Sequence, residues 1–86
     1  MNRYQVQWHE AAENQLMAMW IRSANKDAIT GYVDQIDRIL ARDPLEQGES
    51  REANIRLAFF RPVCVRYLVD ETLRIVLIQT IRWVGR

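Results

Sequence analysis

One cysteine and one histidine are all that these 86 residues supply of the side chains most used for disulfides, metal sites and proton transfer. A lone Cys64 cannot close an internal disulfide, and one thiol with one imidazole makes no metal-ligand cluster, so no cofactor or metal is expected. Cys64 reads as a small buried strand residue. No uninterrupted apolar run approaches the roughly 20 residues that span a bilayer. The start, Met1-Asn2-Arg3-Tyr4, passes straight into polar–apolar alternation, without an apolar stretch between a basic end and a small-residue cleavage site. A cytoplasmic location without a membrane partner is therefore expected.

Apolar residues make up 49% of the chain and charged residues 27%, the balance of an ordinary globular domain and not of a disordered segment. A chain this short is one domain, residues 1–86, with a thin core. The net charge of +1 is unevenly spread. Residues 1–50 hold five basic against eight acidic side chains; residues 51–86 hold seven against three, and all seven are arginine. Arginine grips phosphate or carboxylate through a planar fork and stacks on flat rings, so the C-terminal half is where an anionic partner would sit.

Residues 4–8, Tyr-Gln-Val-Gln-Trp, alternate large apolar with polar and predict a half-buried strand. From Glu10 the period changes: Ala12, Leu16, Met19 and Trp20, with Met17 beside them, recur at helical spacing and predict a helix ending near Ser23 to Asn25. Asp27 can cap a second helix with a seam of Ile29, Val33, Ile36 and Leu40, which Asp43-Pro44 ends. The short link predicts an antiparallel helix hairpin in which the methionines and Trp20 face that seam as core. His9 falls at the start of the first helix, where a capping or surface role fits it better than catalysis.

Residues 43–53 read as an exposed loop with a turn at Gly48. Three strands follow, over about 54–60, 63–69 and 73–83, joined by Arg61-Pro62 and Asp70-Glu71-Thr72. The expected architecture is α+β, β-α-α-β-β-β, with the helix hairpin on one face of a mostly antiparallel four-stranded sheet. If both connections hold an odd number of residues, Arg56, Arg66, Arg74 and Arg82 share the face away from the helices; a one-residue slip breaks the set. Such a face could bind RNA, guanidinium groups meeting phosphates and stacking on bases while Phe60 adds stacking. Equally, the arginines could pair with Glu46, Glu49, Glu52 or Glu71 and simply keep an uncovered face soluble.

The helix hairpin, the Gly-Glu-Ser-Arg segment at 48–51, the Ile55-Arg56-Leu57 strand and the run VRYLVDETLRIVLIQTIRW together resemble the RelE/ParE superfamily of bacterial type II toxins. The resemblance implies a small toxin neutralised by a cognate antitoxin. RelE-like members cleave messenger RNA on the ribosome without metal, basic side chains activating the 2′-hydroxyl and stabilising phosphorane charge. Carried over by position, Arg56 and Arg82 become catalytic candidates, joined by Arg66 as a substitute, while Arg51, Arg61, Arg74, Phe60 and Trp83 are the candidates for RNA or phosphate binding. The family often places an arginine early in the middle strand, where this sequence reads Pro62-Val63-Cys64-Val65, leaving Arg61 or Arg66 to substitute. ParE-like members inhibit DNA gyrase by protein contact, and a third reading is a non-toxic interaction module of the same fold. A homodimer is compatible with either.

Overall fold

In a computed structural model describing residues 3–85, the chain begins with a short strand, β1 (Gln5–Trp8), followed by α1 (Glu10–Arg22) and α2 (Lys26–Arg42). A single 3-10 turn, Pro44–Glu46, leads into four strands: β2 (Glu49–Glu52), β3 (Ile55–Phe60), β4 (Val63–Asp70) and β5 (Ile75–Trp83). Met1, Asn2 and Arg86, the last of the seven C-terminal arginines, lie outside the described residues.

The helix boundaries follow local chemistry. His9 caps α1, its Nδ1 accepting the Ala11 N–H at 3.1 Å, so the imidazole takes the helix-start role. Asn25, and not the expected Asp27, caps α2 by accepting the Ala28 N–H at 3.0 Å. Asp27 sits in the first turn, where a negative charge suits the N-terminal end of the helix dipole. None of the described helices is long and apolar enough to cross a membrane.

The α+β class holds, but the sheet has five strands and not four, in the order β1-β5-β4-β3-β2. The extra strand is β2, Glu-Ser-Arg-Glu, inside the segment expected to be loop. All four of its residues are exposed, so no alternation marks it; it forms because β3 offers it backbone partners, with Glu49 opposite Leu57 and Ser50 opposite Arg56. β1 runs parallel to β5, and every other pairing is antiparallel.

The core lies between the helices and one face of the sheet. Ala12, Ile36 and Leu40 of the helices meet Val63, Val65, Tyr67 and Val69 of β4 and Val76, Ile78 and Ile81 of β5, all essentially inaccessible to water. Truncating any of the larger aliphatic residues among these would cost roughly 2–5 kcal/mol. The first helix departs from expectation. Leu16 and Met19 lean on the core, but Met17 is 60% exposed and Trp20 43% exposed, so the helix does not bury them against α2. Lys26 instead holds its ammonium 4.8 Å from the Trp20 ring centre.

One buried-side polar contact ties the layers together: Trp8 Nε1 donates to Asp37 Oδ1 at 2.9 Å. Partial burial pushes the Asp37 carboxyl above its ordinary 3.8, the indole N–H pulls the other way, and the neighbouring Asp34 adds to the rise. The native state thus holds that proton more tightly than the unfolded chain, and stability falls as pH rises through the ordinary carboxylate range and up to the raised native value. Asp37→Asn keeps an acceptor for the indole without the charge. It is expected to match or raise the melting temperature at pH 7, with the advantage shrinking as pH falls through the raised native value and gone below about 4, as thermal unfolding followed by circular dichroism would show.

Candidate functional site

Which side chains share the helix-free face is decided by how the strands connect. The turn between β3 and β4 is the residue pair Arg61-Pro62, so Phe60 lies opposite Val63 and takes the same, helix-covered side. Ala58 and Arg56 follow it, placing Arg56 across from the core residue Tyr67. Asp70 lies opposite Ile75, an even connection again, which turns Val76 and Ile78 toward the helices. The register then slips once, Tyr67 facing Ile78 but Arg66 facing Thr80, leaving Gln79 as an extra residue. Beyond that bulge Ile81 and Trp83 turn to the helix side, and Thr80 and Arg82 to the open side.

The expected four-arginine cluster is therefore corrected. Arg66 and Arg82 do share the helix-free face; Arg56 and Arg74 do not. Arg56 is a clip: its Nε donates to the Gln47 carbonyl at 2.9 Å and its Nη2 to the Gly48 carbonyl at 3.4 Å. Beside it the fully buried Tyr67 hydroxyl reaches the carbonyls of Pro44 at 2.7 Å and Gln47 at 3.2 Å. Burial raises the Tyr67 phenol above its usual range, against the opposing pull of the Arg56 guanidinium. Gly48 holds φ +60°, and a Cβ there would run into the Leu57 carbonyl, so the segment needs glycine to lie flat on β3. Arg74 sits in the turn before β5 at φ 57°, its guanidinium 4.3 Å from the Tyr4 ring centre and its Nη1 donating to Tyr4 Oη at 3.3 Å.

Phe60 and Trp83 are corrected likewise. Phe60 packs against the core, and Trp83 lies on the helix side with its ring centre 6.4 Å from that of Tyr32. Arg61, in the turn, helps to line an open depression with Tyr32, Pro62 and Trp83, also on that side. The aromatic ring on the helix-free face is instead Phe59, 57% exposed. Alternation could have revealed it once the turn was counted as two residues.

The open face reads as rows across the strands. One runs Phe59, Cys64, Arg82; the next Leu57, Arg66, Thr80; the next Ile55, Leu68, Leu77. Glu49 and Glu52 of β2 border it, opposite Leu57 and Ile55. Arg66 and Arg82 are diagonal neighbours across the β4–β5 pair, a spacing of roughly 7–8 Å between backbones that long side chains bridge easily. Arg51 belongs with them: burial pushes the Cys64 thiol up, while the charges of Arg82 and then Arg51 pull it down, so both guanidinium groups act on this thiol. Cys64 itself is 1% exposed.

Two of these arginines touch carboxylates, Arg51 to Glu49 at 3.2 Å and Arg66 to Glu52 at a long 4.0 Å, with all four side chains about half exposed or more. Ion pairs that wet contribute little, so an incoming phosphate or carboxylate can exchange with them at small cost. The face can thus bind an anion through Arg51, Arg66 and Arg82 and stack a flat ring on Phe59. Among the described residues no cluster of His, Cys, Asp and Glu has the placement of a metal site.

Neither a protein-family model nor a curated protein matches the chain by sequence. Solved structures do match by shape. The toxin–antitoxin complex RelBE2 from Mycobacterium tuberculosis superposes with a TM-score of 0.77 at 21% identity, covering 96% of this chain and 93% of that one. The chain has the RelE/ParE fold. The chromosomal ParDE toxin–antitoxin system of P. aeruginosa follows at 0.72 and 17% identity, covering 99% of this chain and 100% of that one. An archaeal RelE–RelB complex from Pyrococcus horikoshii OT3 gives 0.70 at 18%, covering 100% and 99%. Within the RelE/ParE fold of this chain, the basic open face is built by β2 to β5.

Two outcomes test this geometry. Tyr67→Phe removes a buried hydroxyl and should cost about 1–3 kcal/mol in urea unfolding, because the Pro44 carbonyl loses its buried donor while Gln47 keeps Arg56. Native Cys64 should resist iodoacetamide at pH 8, where its raised pKa and burial keep the thiolate scarce, and react fast once denaturant is added; equal rates would contradict the buried placement.

Proposed function

We propose that the chain is the toxin of a toxin–antitoxin pair, neutralised by a cognate antitoxin protein and acting in the cytoplasm. The observation that carries this is the shape match over nearly the whole chain to proteins solved as parts of such pairs. For its activity we propose metal-independent cleavage of messenger RNA on the ribosome. Arg82 and Arg66 would meet the scissile phosphate and stabilise its developing charge, Arg51 would hold a neighbouring phosphate, and Phe59 would stack on an unpaired base. Arg56, tied to backbone carbonyls on the other side of the sheet, supports the segment before β2 and leaves the catalytic set.

A second reading is inhibition of DNA gyrase by protein contact. It is favoured by the aliphatic row Ile55, Leu68 and Leu77, which lies on the same open face and suits a protein surface better than a nucleic acid.

Inducing the chain in a bacterial host separates these. The RNA reading expects growth arrest with truncated messenger RNA, and at least a tenfold loss of toxicity in Arg66→Ala/Arg82→Ala with the fold retained. Intact messenger RNA with accumulating double-strand DNA breaks would select the gyrase reading. Unimpaired growth at confirmed expression would count against a toxin of either kind.

A further inference from the structure

The helix side of the sheet ends in a concave surface of its own, behind the arginines of the open face. It is an open depression of about 910 Å³, lined by Tyr32 of α2, Arg61 and Pro62 of the turn after β3, and Trp83, Val84 and Gly85 where β5 runs out. Its base is tied down, because the Val84 N–H donates to the Pro62 carbonyl at 2.8 Å across that turn. Gly85 then bends away at φ +93°, and a Cβ placed there would meet nothing within 4 Å, so the space beside it is open. Trp83 is 53% exposed. Its ring centre lies 6.4 Å from that of Tyr32 with the planes 57° apart, a tilted contact in which neither ring covers the other face to face.

Among the described residues Arg61 is the one charged group of this lining. Half-exposed aromatic rings beside a guanidinium are the parts of a stacking platform for single-stranded nucleic acid, since every base offers a flat face and every link an anionic phosphate. The depression also adjoins the open face. Trp83 follows Arg82 and Phe60 follows Phe59, and consecutive strand residues, about 3.8 Å apart, point to opposite sides. The row Phe59, Cys64, Arg82 and the row Phe60, Val63, Trp83 are therefore the last two of the sheet, one in front and one behind. The Arg61-Pro62 turn is the rim between them. A strand of RNA held at Arg82 and stacked at Phe59 has only this rim to round.

We propose that the depression between Tyr32 and Trp83 is a second nucleotide subsite, which takes one unpaired base of an RNA strand onto the Trp83 indole while Arg61 receives the phosphate linking that base to the nucleotides on the open face. This assignment rests on RNA as the ligand of the open face; the chemistry of the subsite, a flat ring with a phosphate, stands on the depression alone. A consequence is a minimum ligand length. A strand that rounds the rim is held by two platforms, and one that stops at Phe59 by a single one.

The test titrates the isotope-labelled chain with 2′-O-methylated RNA, which has no 2′-hydroxyl to attack, and follows backbone amides and the indole N–H groups by NMR. A hexanucleotide is expected to shift the Trp83 indole and the Arg61 and Val84 amides together with Arg66 and Arg82, and to bind about fivefold or more tightly than a dinucleotide. Trp83→Leu should bring the hexanucleotide down toward the dinucleotide while the Arg66 and Arg82 shifts persist. A hexanucleotide with abasic sites throughout needs no variant, and should leave the indole unshifted. The inference is overturned if the hexanucleotide shifts the open face but not the Trp83 indole, if Trp83→Leu binds it as tightly as the parent chain, or if the abasic strand shifts the indole equally. The two readings fail separately. Open-face shifts without the indole remove the subsite alone, whereas a saturable indole shift with adenosine monophosphate, and none at Arg66 or Arg82 with any strand, removes RNA from the open face and keeps the subsite.

Discussion

A side chain on a strand faces one of two ways, and in this sheet three local features make that choice for almost every residue that matters. The two-residue turn after Phe60 and the even connection before Ile75 set the phases of β3, β4 and the first part of β5 so that Ala58, Tyr67, Val69, Val76 and Ile78 meet the helices. The extra residue at Gln79 then reverses β5, bringing Ile81 to the core and Arg82 out beside Cys64. Burial of apolar area rewards this phasing, since a slip would expose Val63, Val65 and Tyr67 together.

From that phasing a short chain of contacts runs from core to surface. Tyr67 is buried because it sits on the helix side of β4, and its hydroxyl needs acceptors; the carbonyls of Pro44 and Gln47 supply them. Arg56, across from it, holds the same segment through Gln47 and Gly48. That segment delivers β2, and β2 carries Arg51, Glu49 and Glu52 to the rim of the open face. A residue first taken for a catalytic arginine thus serves the site indirectly, by fixing the strand that frames it.

Much of the architecture was legible because periodicity reports burial directly. The seam of α2, the alternation of β4 and the order of elements all follow from apolar spacing, and the place of His9 at a helix start predicted its capping role. What could not be read was whatever depends on pairing. β2 has no apolar residue to betray it, and exists through the backbone of its neighbour. The arginine cluster was half right: Arg66 and Arg82 converge, while Arg56 and Arg74 were displaced by turn lengths that become definite only when the last cross-strand pair closes. Met17 and Trp20 repeat at helical spacing yet stay exposed, because the sheet side of α1 is satisfied by Ala12, Leu16 and Met19.

The bulge at Gln79 also has a bearing on how such a surface can change over generations. Loss of the one codon would close the ladder without the bulge, leaving Thr80 opposite Arg66, Ile81 opposite Val65 and Arg82 opposite Cys64, so the end of β5 would keep its facing. In this fold the residue at the bulge is thus a spare position, and a lineage could drop it without turning the isoleucine outward or the guanidinium inward.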